Sequence, residues 1–219
     1  VSGSGNVAQF AIEKILQNGG IPVTASDSSG FIYDPDGIDM EKLEYIMDLK
    51  EVRRGRIHEY AEQYPNATFT PTDPNATSNP LWEVKAELAL PCATQNELNA
   101  EDAQNLVNNG CMLVAEGANM PTTPEAIEVL QKAGVNYAPG KASNAGGVAT
   151  SGLEMVQNFG GMYWTSEQVD NQLQGIMKDI HDNCLRTAKE FGKEGDYMAG
   201  ANIAGFIKVA DAMIAEGVL

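Results

Sequence analysis

Three small residues near the start of the chain have the spacing of a dinucleotide-binding fingerprint. Residues 3–8 read Gly3-x-Gly5-x-x-Ala8. In this pattern the first glycine makes a tight turn, the second lets the backbone approach a pyrophosphate, and a small third residue lets helix and strand pack closely. The fingerprint should follow a strand, yet only Val1 and Ser2 precede it. We therefore expect the chain to begin within the first strand of a larger protein.

Charged residues further along the chain predict how an adenosine ribose is bound. Asp27 follows the fingerprint at a distance suited to an acidic residue that binds the ribose hydroxyl of NAD. Residues 50–56 instead hold four of the 14 Lys and Arg residues of a chain with a net charge of -16. Because this local charge opposes the overall charge, we predict a phosphate site there. A 2′-phosphate would suit such a cluster and favours NADP over NAD.

A glycine-rich stretch from Asn144 to Met155 forms a second candidate binding segment. Gly146 and Gly147 permit backbone angles and close approaches that a side chain forbids. Thr150 and Ser151 add hydroxyl groups where we expect the backbone to turn into a helix, a favourable position for an anion. The alternative interpretation is a glycine-rich loop with a helix cap.

The elements around these segments alternate between strands and helices. Strands are predicted at 21–25, 88–90, 112–115 and 135–138, and polar loops at 3–8, 92–96, 116–123 and 140–151 follow strands. Alternation of this kind predicts an α/β, Rossmann-like, doubly wound and mostly parallel sheet with helices on both faces. The loops should share the rim beyond the carboxyl ends of the strands. We expect one nucleotide-binding domain over 1–219, with 153–219 a helical C-terminal segment.

Composition excludes several classes of function. The strong negative charge argues against nucleic-acid or membrane-surface partners. No apolar run reaches the length of a membrane span, and no secretory leader is visible. Cys92, Cys111 and Cys184 suit reduced thiols in a cytosol, and His58 with His181 are too few and too distant for a metal site.

Side chains able to act as nucleophile and base are not paired in this sequence. Cys92 and Ser151 have no histidine placed to activate them. The remaining polar groups can orient a nicotinamide and a substrate carboxylate, while the cofactor carries the hydride chemistry. These groups are Thr94, Gln95, Asn96, Asn119, Asn144 and Ser151.

The loops together resemble the nucleotide-binding domain of the glutamate dehydrogenase family, most closely its hexameric bacterial NADP-using type. The turn Asp27-Ser-Ser-Gly30 is part of this resemblance. The other segments that carry it are Gly3-Ser-Gly-Asn-Val-Ala8, Pro91-Cys-Ala-Thr-Gln-Asn96, Glu116-Gly-Ala-Asn-Met-Pro-Thr-Thr123, Pro139-Gly-Lys-Ala-Ser-Asn-Ala-Gly-Gly-Val-Ala-Thr-Ser-Gly-Leu-Glu-Met155 and Gly200-Ala-Asn-Ile-Ala-Gly-Phe206.

The resemblance implies reversible oxidative deamination of L-glutamate to 2-oxoglutarate and ammonia in a cytoplasmic homo-hexamer. It places the catalytic residues in an N-terminal substrate domain that is absent here, so that this chain alone is expected to be inactive. It implies substrate binding by Val148 and Ser151. Cofactor binding is implied for Gly3, Ser4, Gly5, Asn6, Val7, Asp27, Ser28, Lys50, Arg53, Arg56, Ala93, Thr94, Gln95, Asn119 and Asn144.

Two alternatives remain open from the sequence. One is an NAD-specific or other amino-acid dehydrogenase, which Asp27 favours and Ser28 with residues 50–56 disfavours. The other is a nucleotide-binding or interaction module without catalytic activity.

Overall fold

The chain divides into two compact units, which we describe separately. The structure, a computed structural model, describes residues 1–73 and 75–217. The first unit spans Val1–Asn136 and the second begins at Tyr137.

The first unit alternates helices with short strands. Asp39 caps α2 as predicted, because its carboxylate accepts from the Lys42 amide at 2.9 Å. A π-helical turn over Asp48–Val52 follows α2, and a 3₁₀ helix covers Pro80–Glu83. The elements are α1 (Asn6–Gln17), β1 (Thr24–Asp27), β2 (Gly30–Tyr33), α2 (Met40–Met47), α3 (His58–Gln63), β3 (Thr68–Pro71), β4 (Leu88–Ala89), α4 (Ala100–Asn108), β5 (Leu113–Ala115) and α5 (Pro124–Lys132), with β6 (Asn136–Ala138) at the junction of the units.

Two three-stranded sheets flank the N-terminal segment. One has the order β1-β2-β3 with antiparallel pairs, and the other has the order β4-β5-β6 with β4 and β5 parallel. Residues 1–3 run between them, because the Ser26 amide donates to the Gly3 carbonyl at 2.9 Å and the Ser2 amide donates to the Leu90 carbonyl at 3.2 Å. The predicted α/β fold with a parallel sheet is confirmed, whereas the antiparallel strand β2 was not predicted.

A continuous apolar core lies beneath β1 and β2. Ile32 at the centre of β2 and Ile46 on α2 are fully buried, as is Tyr60 on α3. The Tyr60 hydroxyl donates to the buried Asp34 carboxylate at 2.6 Å, and Lys42 Nζ contacts the same carboxylate at 2.7 Å. The core therefore includes one charged network whose polar atoms have partners.

The second unit is helical. Thr165 caps α8, since its hydroxyl accepts from the Gln168 amide at 3.2 Å. α8 and α9 pack closely at Gly200, where an added Cβ would clash with the Cys184 carbonyl. The helices are α6 (Gly140–Ser143), α7 (Gly146–Gly160), α8 (Ser166–Glu190) and α9 (Tyr197–Glu216). The change to long helices predicted after Trp164 is confirmed.

α9 is long and apolar enough to cross a membrane by length and composition alone. Its most apolar 18-residue window has a mean hydropathy of 1.3. This helix was not expected from the sequence, where no apolar run reaches the length of a membrane span. Lys208 and Asp211 lie within it, and charges at these positions would be costly in hydrocarbon. One such helix is weak evidence for a membrane span.

Some predicted boundaries differ from the structure. The strand predicted at 21–25 lies at Thr24–Asp27, so that it includes the turn residue Asp27. α4 begins at Ala100 because Asn99 forms a capping box with Asp102, which leaves Leu98 before the helix. The start of α4 is therefore set by this side-chain cap and not by the spacing of apolar residues.

Candidate functional site

A cleft of about 760 Å³ in the first unit brings together most of the predicted cofactor residues of that unit. It lies where the N-terminal segment, the end of β1 and the loop after β4 meet. Its lining residues are Gly3, Ser4, Gly5, Asn6, Val7, Ser26, Asp27, Ser28, Thr72, Asn79, Cys92, Ala93, Thr94 and Glu97.

Gly3 lies at the centre of this cleft and requires glycine. Its φ is +84°, and an added Cβ would lie 2.9 Å from the Cys92 carbonyl oxygen. On its other side the Gly3 amide donates to Ser26 Oγ at 2.7 Å. The order across the cleft is therefore Ser26, Gly3 and Cys92. The positive φ of Gly3 fits the tight turn predicted for the first fingerprint glycine.

The N-terminus of α1 opens directly beside Gly3. Gly5 is the N-cap residue in an extended conformation, and as a glycine it has no side chain that could cap the helix. An added Cβ on Gly5 would meet nothing within 4 Å. Backbone amides of the first helical turn and the positive end of the helix dipole attract an anion at such a terminus. The fingerprint and helix thus have the geometry of a pyrophosphate cradle.

The Asp27 carboxylate at the end of β1 is saturated with hydrogen bonds. Oδ1 accepts from the amide and hydroxyl of Ser29 at 2.8 and 2.6 Å, and Oδ2 accepts from Lys50 Nζ at 2.8 Å and the Ile57 amide at 2.9 Å. Burial raises the pKa of Asp27, but the hydrogen bonds from Lys50 and Ser29 outweigh burial and lower the pKa to about 2. Asp27 therefore anchors the 27–30 turn to the segment around Lys50.

The three predicted phosphate-binding cations differ in their contacts. The Arg56 guanidinium donates to Ser28 Oγ at 2.8 Å, at the edge of the cleft. Lys50 is held by Asp27 and by the Gly55 carbonyl. Arg53 instead pairs with Asp48 at 2.7 Å and lies over the Tyr45 ring, 4.6 Å from its centroid. The structure places Arg56 and Lys50 at the end of β1, and it directs Arg53 to other partners.

The loops after β4 and β5 pack against one another. The Pro91 carbonyl accepts from the amides of Gly117 and Ala118, each at 3.0 Å, and the Asn96 amide donates to the Met120 carbonyl at 3.0 Å. An added Cβ on Gly117 would lie 2.5 Å from Cys92 Sγ. Three of the four predicted rim loops, at 3–8, 92–96 and 116–123, therefore meet as expected. Gln95 and Asn119 lie on two of them.

The predicted site residues of the second unit lie on or beside α7. This helix begins at Gly146, so Thr150 and Ser151 are one turn inside it rather than at its start. Their hydroxyls donate to the carbonyls of Gly146 and Gly147 at 2.9 and 3.3 Å. Neither glycine has a positive φ. The glycines thus continue a helix here, contrary to the expected turn.

Asn144 and Val148 complete the predicted residues of the second unit. Asn144 is the C-cap residue of α6, immediately before α7. Val148 is 77% exposed on the first turn of α7. Asn144 is half-buried, whereas the apolar side chain of Val148 is open to solvent.

Cys92 is buried beside the fingerprint and is unsuited to nucleophilic chemistry. Burial raises the pKa of its thiol to about 11, so the reactive thiolate is scarce near neutral pH. Within residues 1–73 and 75–217, no group of three or more His, Cys, Asp or Glu side chains is arranged to hold a metal ion.

Five lining residues of the cleft were absent from the predicted cofactor set. Ser26 and Cys92 flank Gly3, Glu97 follows the 92–96 loop, and Thr72 and Asn79 come from the segment after β3. Proximity to the predicted loops could have indicated Ser26, Cys92 and Glu97. Thr72 and Asn79 had no sequence signal, because only tertiary folding brings their proline-rich segment to the cleft.

The sheet flanked by helices and the glycine-lined cleft at the N-terminus of α1 define a Rossmann-like α/β protein. The chain belongs to the Glutamate/Leucine/Phenylalanine/Valine dehydrogenase family, whose model matches residues 1–217.

Similar proteins are known in both sequence and structure. A glutamate dehydrogenase of Bacteroides thetaiotaomicron is 56% identical over 219 residues, covering 100% of this chain and 48% of the relative. An NADP-specific glutamate dehydrogenase of Haemophilus influenzae is 58% identical, covering 100% of this chain and 47% of the relative. The crystal structure of Plasmodium falciparum glutamate dehydrogenase aligns with a TM-score of 0.92 and 46% identity, covering 100% of this chain and 46% of that one. The chain thus spans about half the length of these relatives.

Proposed function

We propose that this chain is the cofactor-binding part of an NADP-dependent glutamate dehydrogenase, with residues 1–219 as its nucleotide-binding domain. The observation that carries the proposal is the cleft that joins the glycine fingerprint to Ser28 and Arg56. A cation at the end of β1 is notable in a chain with a net charge of -16. Several relatives of this chain are named NADP-specific glutamate dehydrogenases.

The residues of the cleft fit the two phosphate-bearing parts of NADP. The amides at the start of α1 would hold the pyrophosphate, with Gly3 and Gly5 allowing its close approach. Arg56 and Ser28 would bind the 2′-phosphate, since guanidinium groups form charge-assisted hydrogen bonds with phosphate. Lys50 would add charge from its position on Asp27.

The contacts of Asp27 and Arg53 support different roles for these two residues within the proposal. Asp27 positions Lys50 and the 27–30 turn, and all four of its hydrogen bonds would compete with binding a ribose hydroxyl. This disfavours the NAD-specific alternative. Arg53 would reach a 2′-phosphate only by leaving Asp48 and Tyr45.

The remaining assignments of the proposal are made for each unit separately. In the first unit, Thr94, Gln95 and Asn119 would orient the nicotinamide and its ribose. In the second unit, Asn144 would contact the cofactor. Val148 and Ser151 would meet the substrate, L-glutamate or 2-oxoglutarate. When bound, NADP supplies or accepts the hydride.

The proposal includes the assembly and the location of the longer protein. The groups that move the substrate's protons would come from the part of the relatives that this chain does not cover. The working enzyme would be a cytoplasmic homo-hexamer, with neither nucleic acid nor a membrane as partner.

Replacing Arg56 tests the 2′-phosphate site. Arg56→Ala removes the cation that contacts Ser28, and we expect NADPH to bind about tenfold more weakly, because a hydrogen bond between charged groups contributes about 1.5–3 kcal/mol. NADH lacks the 2′-phosphate, so its dissociation constant should change less than about twofold. Fluorescence titration of the chain with each nucleotide measures both constants.

Arg53→Ala is the matched control for this experiment. It removes the same charge from the same segment, but its contacts are Asp48 and Tyr45 rather than Ser28. Its effect on NADPH should be clearly smaller than that of Arg56→Ala. Equal losses of NADPH and NADH affinity in the Arg56 variant would remove this residue from the 2′-phosphate site.

A further inference from the structure

We infer that Glu97 is a positioning residue, whose carboxylate holds the loop after β4 in the shape that receives the nicotinamide half of the cofactor. This inference rests on the proposed function and adds a residue that the family motifs did not include. Glu97 lines the cleft and is partly buried there.

The Glu97 carboxylate closes the loop through successive backbone amides. Its Oε1 accepts from the Ala93 amide at 2.9 Å and from the Thr94 amide at 3.3 Å. The preceding amide, of Cys92, donates to Ser2 Oγ at 2.9 Å, and the Ser2 side chain lies near enough to Glu97 to lower the pKa of its carboxyl group. Two successive amides thus donate to one acidic group, and the amide before them donates to the neighbouring Ser2.

This arrangement resembles an anion-binding nest that is filled by the protein's own carboxylate. Consecutive amides that point to one side attract an anion. With the carboxylate in place, the amides of residues 93 and 94 are turned toward Glu97, and Thr94 and Gln95 are left exposed. The loop also contains Asn96 at a φ of +56°, a conformation that side chains rarely adopt. Glu97 therefore helps to hold a loop that would otherwise relax.

The position of the loop determines which part of the cofactor it affects. Ser26 and Cys92 lie on opposite sides of Gly3. The 2′-phosphate site at Ser28 is on the Ser26 side, and Glu97 is on the Cys92 side. A nucleotide whose pyrophosphate lies at Gly3 would extend its adenosine toward Ser28 and its nicotinamide toward the Glu97 loop. Loss of Glu97 should weaken the nicotinamide contacts and spare the adenosine contacts.

Burial and neighbouring charges are consistent with a structural anion at this position. Burial raises the pKa of Glu97, although the hydrogen bonds from Ser2, Ala93 and Thr94 lower it in part. The N-terminal ammonium of Val1 also favours the ionised form. The carboxylate is therefore retained at a desolvation cost that its hydrogen bonds offset only in part.

Two probes and four variants test this inference. The probes are NADPH and adenosine 2′,5′-bisphosphate, which has the adenosine and 2′-phosphate but no nicotinamide. For Glu97→Ala we expect NADPH to bind about tenfold more weakly and the bisphosphate to bind within about twofold of the unchanged chain. Glu97→Gln keeps an oxygen for the two amides, so it should restore most of the NADPH affinity. Glu101→Ala is the control, because it removes an acid of the same region that contacts Thr77 outside the cleft.

Glu97→Asp is a more conservative change that separates the charge of the carboxylate from its position. It keeps the negative charge, but its side chain is one methylene shorter and loses the two amide contacts. We expect it to bind NADPH about as weakly as Glu97→Ala. The inference is overturned if Glu97→Ala or Glu97→Asp binds NADPH as tightly as the unchanged chain does. It is also overturned if these variants lose affinity for both probes equally. If the unchanged chain binds neither probe, the proposed function fails instead.

Discussion

The two units of this protein bury their apolar residues to very different degrees. In the first unit Ile12, Ile32 and Leu130 are completely inaccessible to solvent. In the second unit Leu153 is the one buried side chain among the described residues of α7 and is still 9% exposed, and Phe206 on α9 is 67% exposed. Long helices with apolar faces therefore form the second unit, whereas the first has a core of its own. Exposed apolar faces of this kind mark surfaces that associate with other protein.

The difference affects how firmly the candidate site residues are positioned. Gly3, Asp27 and Glu97 each make several specific contacts within the first unit. Ser151 and Val148 instead lie on an exposed helix surface, where the Ser151 hydroxyl donates to the Gly147 carbonyl of its own helix. The cofactor cleft is thus built by the first unit alone, and the proposed substrate contacts depend on what the second unit faces in the working protein.

Truncation of Ile32 should reveal the core of the first unit. Ile32 lies on the central strand β2 and is fully buried, so Ile32→Ala should lower the free energy of unfolding by about 3 kcal/mol through lost burial and a cavity. Urea unfolding monitored by circular dichroism measures the change. Phe206→Ala removes an even larger side chain from an exposed surface of α9. Its expected effect is below about 0.5 kcal/mol.

A large effect of Phe206→Ala would contradict this comparison of the two units. If Phe206→Ala destabilises the chain as much as Ile32→Ala, the apolar face of α9 is covered in solution. The two units would then not differ in the way their burial indicates.

Substitution of Asp27 should have a smaller effect that depends on pH. The folded pKa of about 2 lies below the usual value of 3.8, so the ionised carboxylate stabilises the fold above about pH 4. This contribution is lost as the pH falls from about 4 to about 2. Asp27→Asn should therefore lower the free energy of unfolding by about 2 kcal/mol at pH 7, and the difference from the unchanged chain should vanish in acid.

Asp48→Asn is the control for Asp27, because Asp48 forms an exposed ion pair with Arg53. Its effect should be smaller at every pH, since solvent screens exposed pairs. An Asp27→Asn difference that persists unchanged at pH 2 would contradict the assignment of Asp27 as an ionised anchor.

Local patterns in the sequence predicted local features well. The spacing of Gly3, Gly5 and Ala8 predicted a phosphate-binding turn before a helix, and such a turn precedes α1. These features depend on residues within a few positions of one another. The order of the four polar loops along the chain also predicted that they share one rim, and the three loops of the first unit meet there.

Contacts between distant residues could not be predicted in the same way. Nothing in the sequence pairs Lys50 with Asp27 or directs Arg53 to Tyr45, because these contacts depend on how α2 and the π-helical turn pack beside β1. The start of α7 was misjudged for a different reason. Gly146 and Gly147 have low intrinsic helix propensity and favour a loop, yet both lie in the first turn of α7.

The most direct test of the central proposal is a fluorescence titration of this chain with NADPH and with NADH, each at low and at moderate salt. We expect clearly tighter binding of NADPH, with a preference that declines as salt screens the cations near Ser28. Equal binding of the two nucleotides at both salt concentrations would contradict the 2′-phosphate site and indicate a dual or NAD-linked enzyme.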